Sequence, residues 1–314
     1  MSIPGKKVAV IDIGSHSILL LAGESKPDGK IGVLDQQFRT AKLAEGMDHQ
    51  NCISEAAMDR IMRILRDMNN SIGEFDIQEV YPIGTAGLRK ASNTAELKKR
   101  IKDSFNWDLK IITDREEAEL NFIGAITDYN DEQKQFLVMD VGGGSTEFAL
   151  GFQTNLQLSE SIDIGAVVLA KKMKFQEILC SSDRLGIMNL IMLEIQKIKW
   201  LENINADCQV IGTGGTITTL AAIKSKMANY DPELIGKTSF GRDEIWELYY
   251  NLNEQTLAER KKITGLDEGR EHVIIYGMLI FLTFMQMKQI DIIRVSDKGL
   301  RFGYMKSIFT GALN

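Results

Sequence analysis

Cysteine, histidine and proline are all scarce in this chain of 314 residues, with three, three and four of them. Cys52, Cys180 and Cys208 lie far apart, which excludes a disulfide framework and predicts free thiols in a reducing compartment. His16, His49 and His272 have no zinc-type spacing. The chain is 44% apolar and 25% charged, a composition that leaves no segment reading as disordered. No apolar run is long enough to cross a bilayer. The most apolar stretch, Val273 to Met287, contains Tyr276, Gly277, Thr283 and Gln286 and predicts a buried helix. Lys6-Lys7 before an apolar run imitates a signal peptide, but Asp12 interrupts the run and no small-residue cleavage site follows. A cytoplasmic protein without a membrane partner is expected. Positive charge is short too: 37 Lys and Arg face 43 Asp and Glu, a net charge of −6. That argues against a general nucleic-acid surface, and an anionic ligand would need Lys, Arg or a metal ion focused locally.

What is present is a phrase that occurs twice. The first copy runs Val8-Ala9-Val10-Ile11-Asp12-Ile13-Gly14-Ser15-His16-Ser17 and continues into Ile18-Leu19-Leu20-Leu21. The second runs Phe136-Leu137-Val138-Met139-Asp140-Val141-Gly142-Gly143-Gly144-Ser145-Thr146 and continues into Glu147-Phe148-Ala149-Leu150. Each predicts a strand, a tight turn and a strand. Gly, Ser and Thr in the turns let backbone N–H groups approach an anion, so Gly14, Ser15, His16 and Ser17, and Gly142 to Thr146, are candidate phosphate-binding residues. Asp12 and Asp140 sit at the strand ends. Carboxylates beside phosphates need a cation, and Mg²⁺ with retained waters suits them best. Glu147 is either a second metal-side or water-orienting acid, or a polar residue on a solvated strand face.

Between the copies, Ser54 predicts a helix cap, with Ala57, Ile61, Ile64, Leu65 and Met68 on one buried face. Val80 to Ile83 predicts a strand running into Gly84-Thr85-Ala86-Gly87-Leu88-Arg89-Lys90, a turn opening a helix that continues past Asn93. Leu109 to Ile112 predicts another strand, and Asp114 a cap for a helix from Arg115 to Ile126. The three acids in Glu116-Glu117-Ala118-Glu119 suit a helix N-terminus whatever their function, or one of them activates a water. Arg89 suits a phosphate oxygen or plain surface. After the second copy, Gly212-Thr213-Gly214-Gly215-Thr216 predicts a strand-to-helix turn that can hold an anion, with Gly214 and Gly215 as candidate binders. The chain closes with a strand at Ile292 to Ser296 and a final helix. The polar linker Tyr129 to Lys134 marks a boundary, giving domains at 1–128 and 129–314. Each is expected to be α/β with a mixed sheet, with the ligand in the cleft between them.

These phrases, in this order, resemble the exopolyphosphatase/guanosine pentaphosphate phosphatase family. The matching residues are Asp12 to Ser15, Gly84 to Arg89 with Asn93, Glu116 to Ala118, Asp140 to Glu147, Gly212 to Thr216, and Ser296-Asp297 with Gly299-Leu300-Arg301. The resemblance implies two actin-like (ribonuclease H-like) domains facing a central cleft, with the last helix free to pack back on the first. It implies Mg²⁺-dependent release of terminal orthophosphate from inorganic polyphosphate, with guanosine pentaphosphate as the alternative substrate. A homodimer is implied by the resemblance alone. Carried over by position, Glu117 is the base, Asp140 and Glu147 serve the metal and the water, with Asp12 beside them, and Arg89 holds phosphate. The chain departs from the family at His16, where Asn is usual, and at Thr113-Asp114, where Ser-Gly is usual. It departs again at His272 and Phe302, where Asp and Glu are expected. A negative charge at Asp114 costs polyanion binding unless it faces away or meets a cation. These departures keep a non-catalytic phosphate sensor, and more remotely an ATP-dependent kinase, among the alternatives.

Overall fold

In the computed structural model, the described residues are 5–14, 17–41, 43, 51–129, 134–204 and 207–312. The chain opens with β1 (Lys7–Ile13), β2 (Ser17–Ser25), β3 (Ile31–Thr40), α1 (Glu55–Gly73), β4 (Glu79–Gly84), α2 (Ala86–Lys90), α3 (Thr94–Phe105), β5 (Lys110–Ile111) and α4 (Asp114–Ala125). It continues with β6 (Gln135–Val141), β7 (Thr146–Phe152), β8 (Asn155–Ile162), α5 (Ala166–Lys172), α6 (Ser181–Ile195), β9 (Gln209–Thr213), α7 (Gly215–Lys224) and α8 (Pro232–Gly236). Then come β10 (Ser239–Gly241), α9 (Arg242–Asn253), α10 (Leu257–Arg260), α11 (Ile274–Lys288), β11 (Ile292–Val295) and α12 (Leu300–Thr310). Two compact units result: residues 1–127 with 299–314, and residues 128–298. The closing helix α12 therefore groups with the first unit rather than with the rest of 129–314.

The two sheets repeat one topology. The first is ordered β3-β2-β1-β4-β5, and the second, read in the same sense, is β8-β7-β6-β9-β11-β10. In each, an antiparallel hairpin (β1–β2 or β6–β7) is followed by a parallel strand beside the first member, β4 or β9. The sheets are mixed, as the sequence predicts. Both turns close alike, with Gly14 N–H donating to Ser17 O at 2.9 Å and Gly142 N–H donating to Ser145 O at 3.0 Å.

Central strands are apolar on both faces because both faces are covered. In β1, Ala9, Ile11 and Ile13 join the core under α1 and α3, while Val8 and Val10 join a second core with Leu120 of α4 and Phe302 and Met305 of α12. Strand periodicity then puts Asp12 on the same face as Val8 and Val10, toward α4 and α12. Those two helices cross closely: a Cβ on Gly303 would lie 1.8 Å from Leu120 O, and one on Gly124 would lie 2.1 Å from Gly299 O. In the second unit, α11 is the buried helix expected from Val273 to Met287, with its residues from Ile274 to Met285 all buried.

Two local expectations change. The helix after Gly84 does not run through Asn93; α2 stops at Lys90 and α3 starts at Thr94. Asn93 is drawn off to pair with the Ile53 backbone, accepting from its N–H at 2.9 Å and donating to its carbonyl at 3.0 Å. The cap of α4 is Thr113, not Asp114. Its hydroxyl accepts from Glu116 N–H at 3.2 Å, and Glu116 Oε2 accepts from Thr113 N–H at 2.8 Å, a reciprocal capping box. Asp114 is thereby the first helical residue.

Candidate active site

In the first unit, the capping box sorts the acids of α4. Glu116 is held by Thr113 and by Lys110 at 2.8 Å, and these partners depress its carboxyl pKa, Lys110 foremost. Glu119 pairs with Arg115 at 3.1 Å. Glu117, one position on from Glu116, faces another way and accepts from Arg89 Nη1 at 2.8 Å. Arg89 Nη1 also donates to Ile112 O at 2.8 Å, and its Nη2 donates to Asp114 Oδ1. The short helix α2 sets this arginine: Thr85 precedes it, and the N–H groups of Leu88 and Arg89 both bond to Thr85 O.

Asp12 lies in the same electrostatic neighbourhood. Its Oδ1 is buried with no hydrogen-bond partner among the described residues. Burial pushes its carboxyl up to about 7; Arg301 pulls it back, and Glu117 adds to the rise. Arg301, whose Nη1 donates to Leu20 O at 2.6 Å, joins this neighbourhood, and local reading assigns it no role. The available signal was a repeat: Gly-Leu-Arg occurs at Gly87 to Arg89 and again at Gly299 to Arg301. The acid expected at position 302 has no counterpart, since Phe302 is core. Gly14 closes the first turn and Ser17 supplies the carbonyl that it meets. Ser15 and His16, both candidate phosphate binders, lie outside the described residues.

In the second unit, register brings the acids together. Asp140 and Glu147 are directly opposed across the β6–β7 hairpin, where the first hairpin opposes Asp12 to Leu19. Side chains opposed across a pair stand on one face, about 5 Å apart at Cβ. Burial pushes the Asp140 carboxyl up to about 6; Glu147 adds to the rise, and a hydrogen bond from Thr213 opposes it. Glu147 Oε1 accepts from Ser145 Oγ and, at 3.2 Å, from Ser161 Oγ. Ser161 and Thr213 reach these acids because they occupy the paired positions on β8 and β9, a relation invisible without the sheet.

The glycine turn is tied to α5: Gly142 O accepts from Ala166 N–H at 3.0 Å, and Gly143 O accepts from Val167 and Val168 N–H at 2.9 and 3.1 Å. Gly144 has open space at its Cα. The buried Thr146 hydroxyl donates to Ile164 O at 2.6 Å, which commits that side chain to the fold. Gly214 has φ +85°, and a Cβ there would lie 2.4 Å from Asp140 Oδ1. Gly215 abuts the Arg270 guanidinium, which also donates to Asp267 at 2.9 Å. A cavity of ≈ 210 Å³ lies between this arginine, the Gly142-Gly143 turn and the start of α5, with Val273 and Ile274 completing an apolar wall.

No group of three or more His, Cys, Asp or Glu side chains converges among the described residues. That excludes an all-protein cage in that set but suits Mg²⁺, which takes one or two carboxylates and keeps water and phosphate as its other ligands. In the second unit, the adjacent Asp140 and Glu147 carboxyls, with raised Asp140 basicity, are donor chemistry that suits such an ion; in the first, the buried Asp12 oxygen has no hydrogen-bond partner among the described residues.

Comparison with known proteins shows the family. The model of the Ppx/GppA phosphatase family matches residues 24–310. The chain belongs to that family. It is 29% identical over 96% of its length to a putative exopolyphosphatase of Haemophilus influenzae, covering 91% of that protein. It is 28% identical over 92% of its length to a bifunctional 3-dehydroquinate synthase/phosphatase of Fusobacterium nucleatum, and spans only 44% of that protein. The solved Aquifex aeolicus Ppx/GppA phosphatase, type II variant, superposes with a TM-score of 0.87 at 27% identity, over 96% of this chain and 99% of that one. The fold is accordingly the actin-like α/β fold of this family, and the protein is a phosphatase.

Proposed function

We propose that this chain is a cytoplasmic, Mg²⁺-dependent exopolyphosphatase that hydrolyses the terminal phosphoanhydride bond of inorganic polyphosphate. The observation that carries the reading is the division of labour in α4: Glu116 is consumed by the capping box, and Glu117 is held by Arg89 at 2.8 Å. Glu117 takes a proton from the attacking water. The water oxygen bonds to the terminal phosphorus, the bridging P–O bond breaks, and orthophosphate leaves while the shortened chain keeps the bridging oxygen. Phosphoryl transfer asks little covalent chemistry of the protein; positioning and charge neutralisation dominate. In the first unit, Arg89 and the Gly14 turn bind phosphate oxygens; in the second, the Gly142 to Ser145 turn does, with Gly214 and Gly215 beside it. Asp140 and Glu147 of the second unit, and Asp12 of the first, are the acids proposed as Mg²⁺ ligands; the ion when bound offsets the charge of the phosphates. A homodimer is supported by family resemblance alone.

Guanosine pentaphosphate is the second reading, favoured by one feature: the cavity beside Arg270 combines an apolar wall with a guanidinium, a surface suited to a nucleobase. The test is orthophosphate release from long-chain polyphosphate and from guanosine pentaphosphate, each with and without Mg²⁺. Mg²⁺-dependent release from polyphosphate at the higher kcat/KM is the expected result. Release from guanosine pentaphosphate alone replaces the first reading with the second, and tight binding without release makes the protein a sensor.

A further inference from the structure

We propose that Asp114 is a resident competitor of substrate phosphate for Arg89, and that it weakens polyphosphate binding and speeds the departure of orthophosphate. The proposal rests on the phosphohydrolase reading given above. The two arms of Arg89 differ. Nη1 is committed to Ile112 O and Glu117, both 2.8 Å away. Nη2 donates to Asp114 Oδ1. Nη2 is therefore the arm that an incoming phosphate oxygen can take over, and a carboxylate already stands on it. Carboxylate and phosphate oxygens are alternative acceptors for the same guanidinium fork.

Asp114 is built to be displaced. Its side chain is 91% exposed, whereas that of Glu117 is 28% exposed. An exposed ion pair is weak and its members rotate away at little cost. Nor does α4 need this carboxylate for its start, because Thr113 and Glu116 already form the capping box. The side chain is thus mobile enough to yield to phosphate and close enough to return when phosphate leaves. Its charge also repels a polyanion for as long as both are near Arg89.

The experiment compares Asp114→Asn with wild type and with Asp108→Asn. Asp108 is an equally exposed acid paired with Lys102, so it makes the same change in net charge away from Arg89. Tripolyphosphate binding is measured calorimetrically without Mg²⁺ at low ionic strength, and KM, kcat and orthophosphate inhibition are measured with Mg²⁺. The expected result for Asp114→Asn is a tripolyphosphate Kd, a KM and an orthophosphate Ki each lowered about three- to tenfold, a gap that narrows at high salt. kcat should not rise in proportion. Asp108→Asn should match wild type. If all three proteins bind tripolyphosphate equally and turn over, the proposal fails and the phosphohydrolase reading stands. An equal gain in Asp108→Asn reduces the effect to bulk charge, and weaker binding in Asp114→Asn makes the residue a support for Arg89; either overturns the proposal. If wild type neither binds tripolyphosphate nor releases phosphate, the phosphohydrolase reading itself falls.

Discussion

Replacing Glu117 with Gln tests the assignment of the base most directly. Gln keeps the shape of the side chain and an oxygen for Arg89 Nη1, at present 2.8 Å from Glu117 Oε2. It removes the charge and the capacity to take a proton. The structural cost is small because Arg89 retains Ile112 O and Asp114, and because the pair is partly exposed, at 20% and 28%. A loss of about 1 kcal/mol is expected, a shift of a few degrees in Tm for a unit of this size. The chemical cost is larger: losing a general base lowers kcat by about 10²- to 10⁴-fold, or about 3–5 kcal/mol in activation free energy. The two effects are separable by measuring orthophosphate release at saturating polyphosphate alongside thermal unfolding. Glu116→Gln is the matched control, since Gln also completes a capping box and the variant loses only the Lys110 ion pair. A Glu117→Gln protein with kcat within threefold of wild type would refute the reasoning. A large loss in Glu116→Gln instead would move the role to that residue.

Three further outcomes follow from the same geometry. The folded-state values of about 7 for Asp12 and about 6 for Asp140 lie above the ordinary carboxyl value of 3.8. The native state therefore holds more protons than the unfolded chain over this window, and without metal, stability falls as pH rises from about 4 through about 7. Mg²⁺ acts on the ionised forms, so it should raise Tm more at pH 8 than at pH 5; equal shifts in a thermal scan would remove these acids from the metal site. Gly214→Ala places a methyl 2.4 Å from Asp140 Oδ1 at φ +85°, and about 2–4 kcal/mol of destabilisation is expected by chemical denaturation, with loss of turnover. Gly303→Ala drives a methyl into Leu120 O and should part α4 from α12. About 2–4 kcal/mol of destabilisation is expected here as well, and an unchanged denaturation midpoint would contradict the close crossing.

Much of the secondary structure was legible. Ser54 caps α1 and accepts from Ala57 N–H at 3.3 Å. Both doubled phrases form hairpins, and α11 is the apolar helix that its composition demands. The misses share a cause. The helix break before Thr94 arises because Asn93 bonds to Ile53, forty positions away. The cap of α4 moved from Asp114 to Thr113 because Glu116 could reach back to it. The partner of the Thr146 hydroxyl, Ile164 O, is likewise supplied only by packing.

By itself, the sequence determined the doubled strand–turn–strand phrase, its acids and glycines, and the alternation of apolar residues that builds two mixed sheets. Those features depend on backbone geometry over a few residues. Tertiary structure alone decided which acid met which partner. Register opposed Asp140 to Glu147 but Asp12 to Leu19. Helix packing brought Arg301 within electrostatic reach of Asp12, and a capping box freed Glu117 for Arg89 while holding Glu116. Charge interactions act through space, so residues far apart in the chain become a site only when pairing and packing bring them together.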